Sequence, residues 1–174
     1  MYLISIYFDA QTHQRIEQYI HQIAKHSKNT FMLDGHIPPH ITISAFDTPV
    51  VEQVIEQLEG QMSKWQKGEL QWASVGTFFP YVLYLAPVLN EYLHSLSCQI
   101  FDCLSTIDQI SIRPYYRPFQ WIPHTTIGKK LSKEEMRIAF EIMQNQFGLF
   151  SGEVTRIGLS KTNPYTEIWD MKLY

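Results

Sequence analysis

The sequence predicts an α+β fold of two similar lobes whose antiparallel sheets face one another. Three observations predict it. Segments with helical and strand periodicity alternate along all 174 residues. Each half runs through one series: strand, helix, loop, short strand, helix, strand. The pattern Pro-His-x-Thr-Ile occurs twice, at Pro39–Ile43 and Pro123–Ile127, at the same step of that series. The chain therefore reads as one two-lobed domain over 1–174, with an internal repeat of approximately 1–80 and 81–174. Any α+β chain can be cut into two vaguely similar halves, but the matched position of the two motifs favours a true repeat.

Residues 2–8, YLISIYF, are β-branched and aromatic, the composition of a strand. Ile16, Tyr19, Ile20 and Ile23 then recur at helical spacing behind Asp9, a candidate N-cap. A loop leads into HITISAF (40–46), a short strand. Thr48-Pro49 offers a cap and a first-turn proline to a helix marked by Val51, Val54, Ile55, Leu58, Met62 and Trp65. Residues 69–79 form the last strand of the first half.

The second half opens with a strand at 81–87 and a helix over 88–104, with Leu89, Tyr92, Leu93, Leu96 and Ile100 on one face. A long loop precedes HTTIGKK (124–130). Ser132 and Glu135 make a capping box, and Leu131 staples onto Met136. That helix runs to Phe147 and stops at Gly148, a residue suited to the C′ position. Residues 152–161 and 166–174 close the chain as two strands.

Composition narrows the function. The chain is 45% hydrophobic and 18% charged, as expected of a folded globular protein. No apolar run approaches the length of a membrane span, and the N-terminus reads as a strand rather than a leader. A net charge of −3 argues against a protein that coats nucleic acid, yet leaves room for one that grips a single phosphate or a chain end. Cys98 and Cys103 fall about 140° apart around a helix, too divergent for a disulfide. Two reduced thiols fit a cytoplasmic protein, and no Cys/His spacing marks a zinc site.

In a strand, residues i and i+2 share a face. His40 and Thr42 therefore project together, as do His124 and Thr126, while Ile41, Ile43 and Ile127 turn to the core. A preceding proline places each histidine at a strand start or edge, within reach of a cleft. One His-x-Thr is a common accident, and a pair of half-buried histidines beside strand-favouring threonines is the plain structural reading. Two copies in register point instead to phosphoryl chemistry. Imidazole titrates near neutrality, so one ring can accept a proton from an attacking oxygen while the other gives one to a departing oxygen. Threonine hydroxyls can donate to the non-bridging oxygens as charge moves onto them. No metal or other cofactor is called for.

HITI (His40–Ile43) and HTTI (His124–Ile127) resemble the paired His-x-Thr-x motifs of the two-histidine phosphoesterase superfamily, which includes the bacterial 2′–5′ RNA ligase family and the 2′,3′-cyclic phosphodiesterases. The resemblance covers nearly the whole chain. It implies a bilobed, pseudo-twofold fold with both motifs in a central cleft, and a metal-independent phosphodiesterase. Such an enzyme hydrolyses 2′,3′-cyclic phosphates, or joins or cleaves 2′–5′ linkages by the same route. By matched position, His40 and His124 take the acid and base roles, in either order, and Thr42 and Thr126 contact the phosphate. Thr125 stands where the motif prefers an apolar residue, which weakens packing there.

The loop before the second motif, SIRPYYRPFQW, adds Arg113, Tyr115, Arg117 and Trp121 as candidate substrate-binding residues. Aromatic rings stack on bases and Arg pairs with phosphate, although an ordinary proline-rich surface loop pinned by aromatic packing accounts for them equally well. The expected partner is a nucleotide or RNA end, with no membrane and no obligatory protein partner. A binding module holding the same ligand without turnover is the rival reading.

Overall fold

The computed structural model describes residues 1–174. Strand β1 (Tyr2–Phe8) turns Ile4, Ile6 and Phe8 into the core, yet Ser5 and Tyr7 on its other face are also buried. A strand covered on both faces belongs in the middle of a sheet, and β1 lies between two partners. Helix α1 (Ala10–Ser27) is started by Asp9, whose carboxylate accepts from the Thr12 N–H at 2.9 Å. The same carboxylate accepts from the Glu153 N–H at 2.8 Å, tying the helix start to a strand of the other half.

A four-residue turn of helix, α2 (Phe31–Asp34), sits in the loop before β2 (Ile41–Asp47). Helix α3 (Val51–Gly60) starts later than expected: its N-cap is Val50, with no side-chain cap. Thr48 does not cap it. Its hydroxyl donates to the Gln109 carbonyl and accepts from the Val50 N–H, which closes a turn before the helix begins. Met62 falls in a separate 3₁₀ turn and Trp65 beyond it, buried. Strands β3 (Gly68–Phe78) and β4 (Val82–Pro87) form a hairpin.

In the second half, α4 (Glu91–Ser105) is capped by Asn90, which leaves Leu89 outside the helix and exposed. A two-residue strand, β5 (Ser111–Ile112), precedes β6 (Thr125–Gly128). Helix α5 (Lys133–Gln146) carries the expected capping box of Ser132 and Glu135, with Leu131 and Met136 buried together. Its C-terminus differs from expectation. Phe147 leaves in an extended conformation and packs near Tyr19 and Phe150, and no glycine takes a positive φ, so Gly148 does not act as a left-handed cap. Strands β7 (Phe150–Lys161) and β8 (Thr166–Lys172) complete the fold. Cys98 and Cys103 are both free thiols.

The class is α+β, built on antiparallel strands. Their order is β5-β2-β1-β7-β3-β4-β6, with β8 also on β7. The two antiparallel halves are joined along β7. Its residues 154–161 pair with β1 on one edge, while its other edge serves β3 over 150–154 and β8 over 156–161. Read from either end, the six main strands give the same sequence of roles, with the third strand of each half exchanged into the other. The helices follow suit: α1 packs on β6 and α5, and α4 packs on β2 and α3. A single apolar cluster runs through both halves and includes Ile4, Phe46, Trp72, Leu85, Ile127 and Leu159.

Candidate active site

Each motif histidine stands one residue before its strand and is held by one local hydrogen bond. His40 Nδ1 lies 2.8 Å from the Pro38 carbonyl, and His124 Nδ1 lies 2.9 Å from the Ile122 carbonyl. A carbonyl only accepts, so Nδ1 carries hydrogen in both rings. Each Nε2 is then the nitrogen with a lone pair to accept a proton. The prolines at 39 and 123 explain the turn: with φ fixed near −65°, each lets the chain bend so that the histidine reaches back two residues.

Both strands then carry the same irregularity. Ile4 pairs with Ser44 and Ser5 with Thr42, so Ile43 is an extra residue. Leu83 pairs with Gly128 and Tyr84 with Thr126, so Ile127 is an extra residue. The motif isoleucine is thus a β-bulge in each half, and both are buried. Bulges twist and re-aim a strand, and each of these directly follows the motif threonine. Beneath each threonine lies a matching cross-strand row: Thr42, Ser5 and Gly158 on one side, Thr126, Tyr84 and Gly76 on the other. Thr42 Oγ1 lies 3.4 Å from Ser5 Oγ.

Although β2 and β6 stand near opposite ends of the strand order, the histidines are electrostatic neighbours. Burial pushes the pKa of both imidazoles below the ordinary histidine value, against the opposing pull of the Pro38 and Ile122 carbonyls. At His40 the charges of His124 and Lys129 act in the same direction as burial. The surroundings differ on the two sides. His124 has Phe78 edge-on at 4.8 Å and Tyr84 at 5.4 Å between ring centroids. His40 has Tyr7 at 6.1 Å, with Arg156 stacked on that tyrosine.

The loop residues separate into different duties. Trp121 is 8% exposed and donates its Nε1–H to the Thr42 carbonyl at 3.0 Å, so it anchors the first motif rather than offering a stacking face. Arg113 is paired with Asp47 at 2.6 Å, and its N–H donates to the Ala45 carbonyl, which fastens the loop to β2. Arg117 lines a groove with Phe101 and Asp108 that includes neither motif histidine. Tyr115 is 81% exposed and keeps a free ring face. Thr125 corrects the expectation of weaker packing: it is fully buried, and its hydroxyl accepts from Trp72 Nε1 at 3.1 Å.

Sequence reasoning missed Ser5, Tyr7, Phe78, Tyr84, Lys129 and Arg156. Ser5 left a signal, a hydroxyl in an otherwise apolar strand. The aromatic residues did not, because strands use such rings for plain packing. No group of three or more His, Cys, Asp or Glu side chains is arranged to hold a metal. No helix is long and apolar enough to cross a membrane.

The sequence model of the 2′-5′ RNA ligase superfamily matches residues 9–165. No curated protein matches the sequence. Among solved structures, E. coli LigT complexed with 3′-AMP is similar at a TM-score of 0.60 and 16% identity, over 99% of this chain and 97% of that one. E. coli LigT complexed with NADP+ gives 0.60 and 17% over 99% and 96%. E. coli LigT complexed with phosphate gives 0.56 and 18% over 99% and 96%. At these identities the likeness to the solved structures is one of fold.

Proposed function

Because the chain belongs to the 2′-5′ RNA ligase superfamily, we propose that it is a metal-independent phosphodiesterase that hydrolyses 2′,3′-cyclic phosphate ends or nucleotides by two-histidine acid/base catalysis. Joining or cleaving 2′–5′ linkages uses the same in-line route with a different attacking oxygen. One observation carries the reading: two imidazoles, each fixed through Nδ1 with Nε2 left reactive, and each two residues from a threonine on a bulged strand. The nucleotide and phosphate complexes of E. coli LigT support a nucleotide or RNA end as the ligand. Two free thiols support a reducing, cytoplasmic setting.

The charges support one order of the two roles. Burial disfavours the proton on both rings, and the arriving phosphate anion favours protonation of one of them. The charge of Lys129 acts against a proton on His40, while burial alone opposes one on His124, which supports His124 as the acid and His40 as the base. His40 Nε2 takes a proton from water as that oxygen bonds to phosphorus. The opposite phosphorus–oxygen bond to the ribose breaks, and His124 Nε2–H protonates the departing oxygen. The Thr42 and Thr126 hydroxyls donate to the non-bridging oxygens, and Lys129 offsets their charge. Water and cyclic diester become a monoester, with one proton passed through each histidine.

The test is a panel of 2′,3′-cyclic nucleotides and cyclic-ended RNA followed by phosphorus NMR. Turnover unaffected by EDTA is expected, with His40→Ala and His124→Ala each lowering it by about 10²-fold or more while the protein stays folded. Near-full activity in either variant sinks the assignment. Saturable binding with no product in the wild type makes the chain a nucleotide- or RNA-end-binding module instead.

A further inference from the structure

The mechanism leaves a buried phenol unused beside His40. Tyr7 is 4% exposed, on the face of β1 that it shares with Ser5, and its ring is the aromatic neighbour of His40. It is unusually well held. The Arg156 guanidinium lies 3.9 Å from its ring centroid, directly across the strand pair from β7. Its hydroxyl is 3.1 Å from the hydroxyl of Tyr165, between β7 and β8. Arg156 is itself held by Glu167 and, at 3.5 Å, by Asp170 of β8. Gly158 makes room for the assembly: a Cβ there would stand 3.1 Å from Tyr7 Cε2 and 2.9 Å from Glu167 Oε1. Three strands thus converge on one ring, and that ring adjoins the base of the proposed reaction.

We propose that Tyr7 is a positioning residue for His40: its ring, clamped between Arg156 and the imidazole, sets the direction of His40 Nε2. The Pro38 hydrogen bond alone leaves the imidazole free to swing about the Nδ1–H···O axis, and a wall on one side removes that freedom. His124 has the equivalent wall in Phe78 and Tyr84. The phenol does not act as an acid or base, because burial and the Tyr165 hydrogen bond push its pKa far above the working range. β8, which carries no catalytic group, acts through Arg156 and Tyr7.

The inference rests on the catalytic reading of His40, and its test separates the two. Tyr7→Leu is expected to lower kcat about 10- to 100-fold with KM held, since orientation rather than binding is lost. Tyr7→Phe, which keeps the ring, is expected to restore most of that loss. Gly158→Ala, which presses on the ring from the far side, is expected to lower kcat severalfold in the same way, and carries the test if Tyr7→Leu does not fold. A folded Tyr7→Leu with unchanged kcat, a Tyr7→Phe as damaged as Tyr7→Leu, or a Gly158→Ala with unchanged kcat overturns the inference. Should the wild type turn over no cyclic phosphate, the functional reading fails, and imidazole NMR decides this one. Water reaching His40 in Tyr7→Leu raises its pKa while His124 holds. The charged groups around His40 are His124 and Lys129, with Arg156 and Glu167 behind Tyr7. Unchanged His40 resonances overturn it.

Discussion

His40 and His124 are oriented by a device only three residues long. Each ring reaches back across a proline to a carbonyl, a tether that needs no long-range contact and fixes which nitrogen is left free. Long-range packing adds the aromatic walls and shifts the proton affinity. Both folded-state pKa values lie below the unfolded value of about 6.5. The unfolded chain therefore binds protons more readily as pH falls through that value, and stability drops between there and the folded pKa. The melting temperature is expected to fall as pH is lowered from 7.5 toward 5.5. A His40→Gln, His124→Gln double variant is expected to show a flatter profile, and an unchanged slope would refute the assignment of this titration. Thr125 is a second lesson at this scale. Its hydroxyl looked misplaced at an apolar position, and it is a buried acceptor for Trp72.

Among the elements, the two motif strands depend on neighbours of unlike kinds. β2 is braced by Trp121, which reaches the Thr42 carbonyl from the loop ahead of the other motif. Trp121→Phe puts a smaller aromatic ring in place of the indole and leaves that carbonyl without its donor. Urea denaturation is expected to show a loss of about 1–3 kcal/mol, with turnover falling because Thr42 is displaced. Ser132→Ala removes one arm of a capping box on an exposed helix start. It is expected to cost about 1 kcal/mol with kcat unchanged, and the contrast tests whether Trp121 acts on the site as well as on stability. Element types were readable because periodicity is local: β1, α1, α4 and α5 follow their apolar spacing. The start of α3 was not, because Thr48 is engaged by Gln109, a partner far along the chain. The bulges at Ile43 and Ile127 were hidden for a similar reason, since a bulge exists only relative to the strand opposite.

Across the whole molecule, the exchanged third strands make the halves interdependent. β3 belongs to the first half, but both of its partners, β4 and β7, lie in the second, while β1 needs β7. A fragment of residues 1–80 is expected to lack cooperative unfolding by circular dichroism and to gain it on mixing with 81–174. A stable, cooperatively folded 1–80 fragment would contradict this. The mirrored strand order, the paired bulges and the matching Thr-to-Gly rows support our reading of 1–80 and 81–174 as two copies of one unit.

By itself the sequence determined the alternation of strands and helices, the two His-x-Thr motifs on which the proposed chemistry rests, and membership of a family whose fold could be anticipated. The elements rest on short-range periodicity, and the motifs and the family on the order and spacing of residues along the chain. Only the tertiary structure decided that the sheets share β7, that Trp121 anchors the site rather than stacking on a base, and that Tyr7, Arg156 and Lys129 distinguish the surroundings of His40 from those of His124. Each of these depends on strand register and burial between residues distant in the chain. Local propensity is silent about such pairings, which are settled when the apolar faces of both halves close over one core.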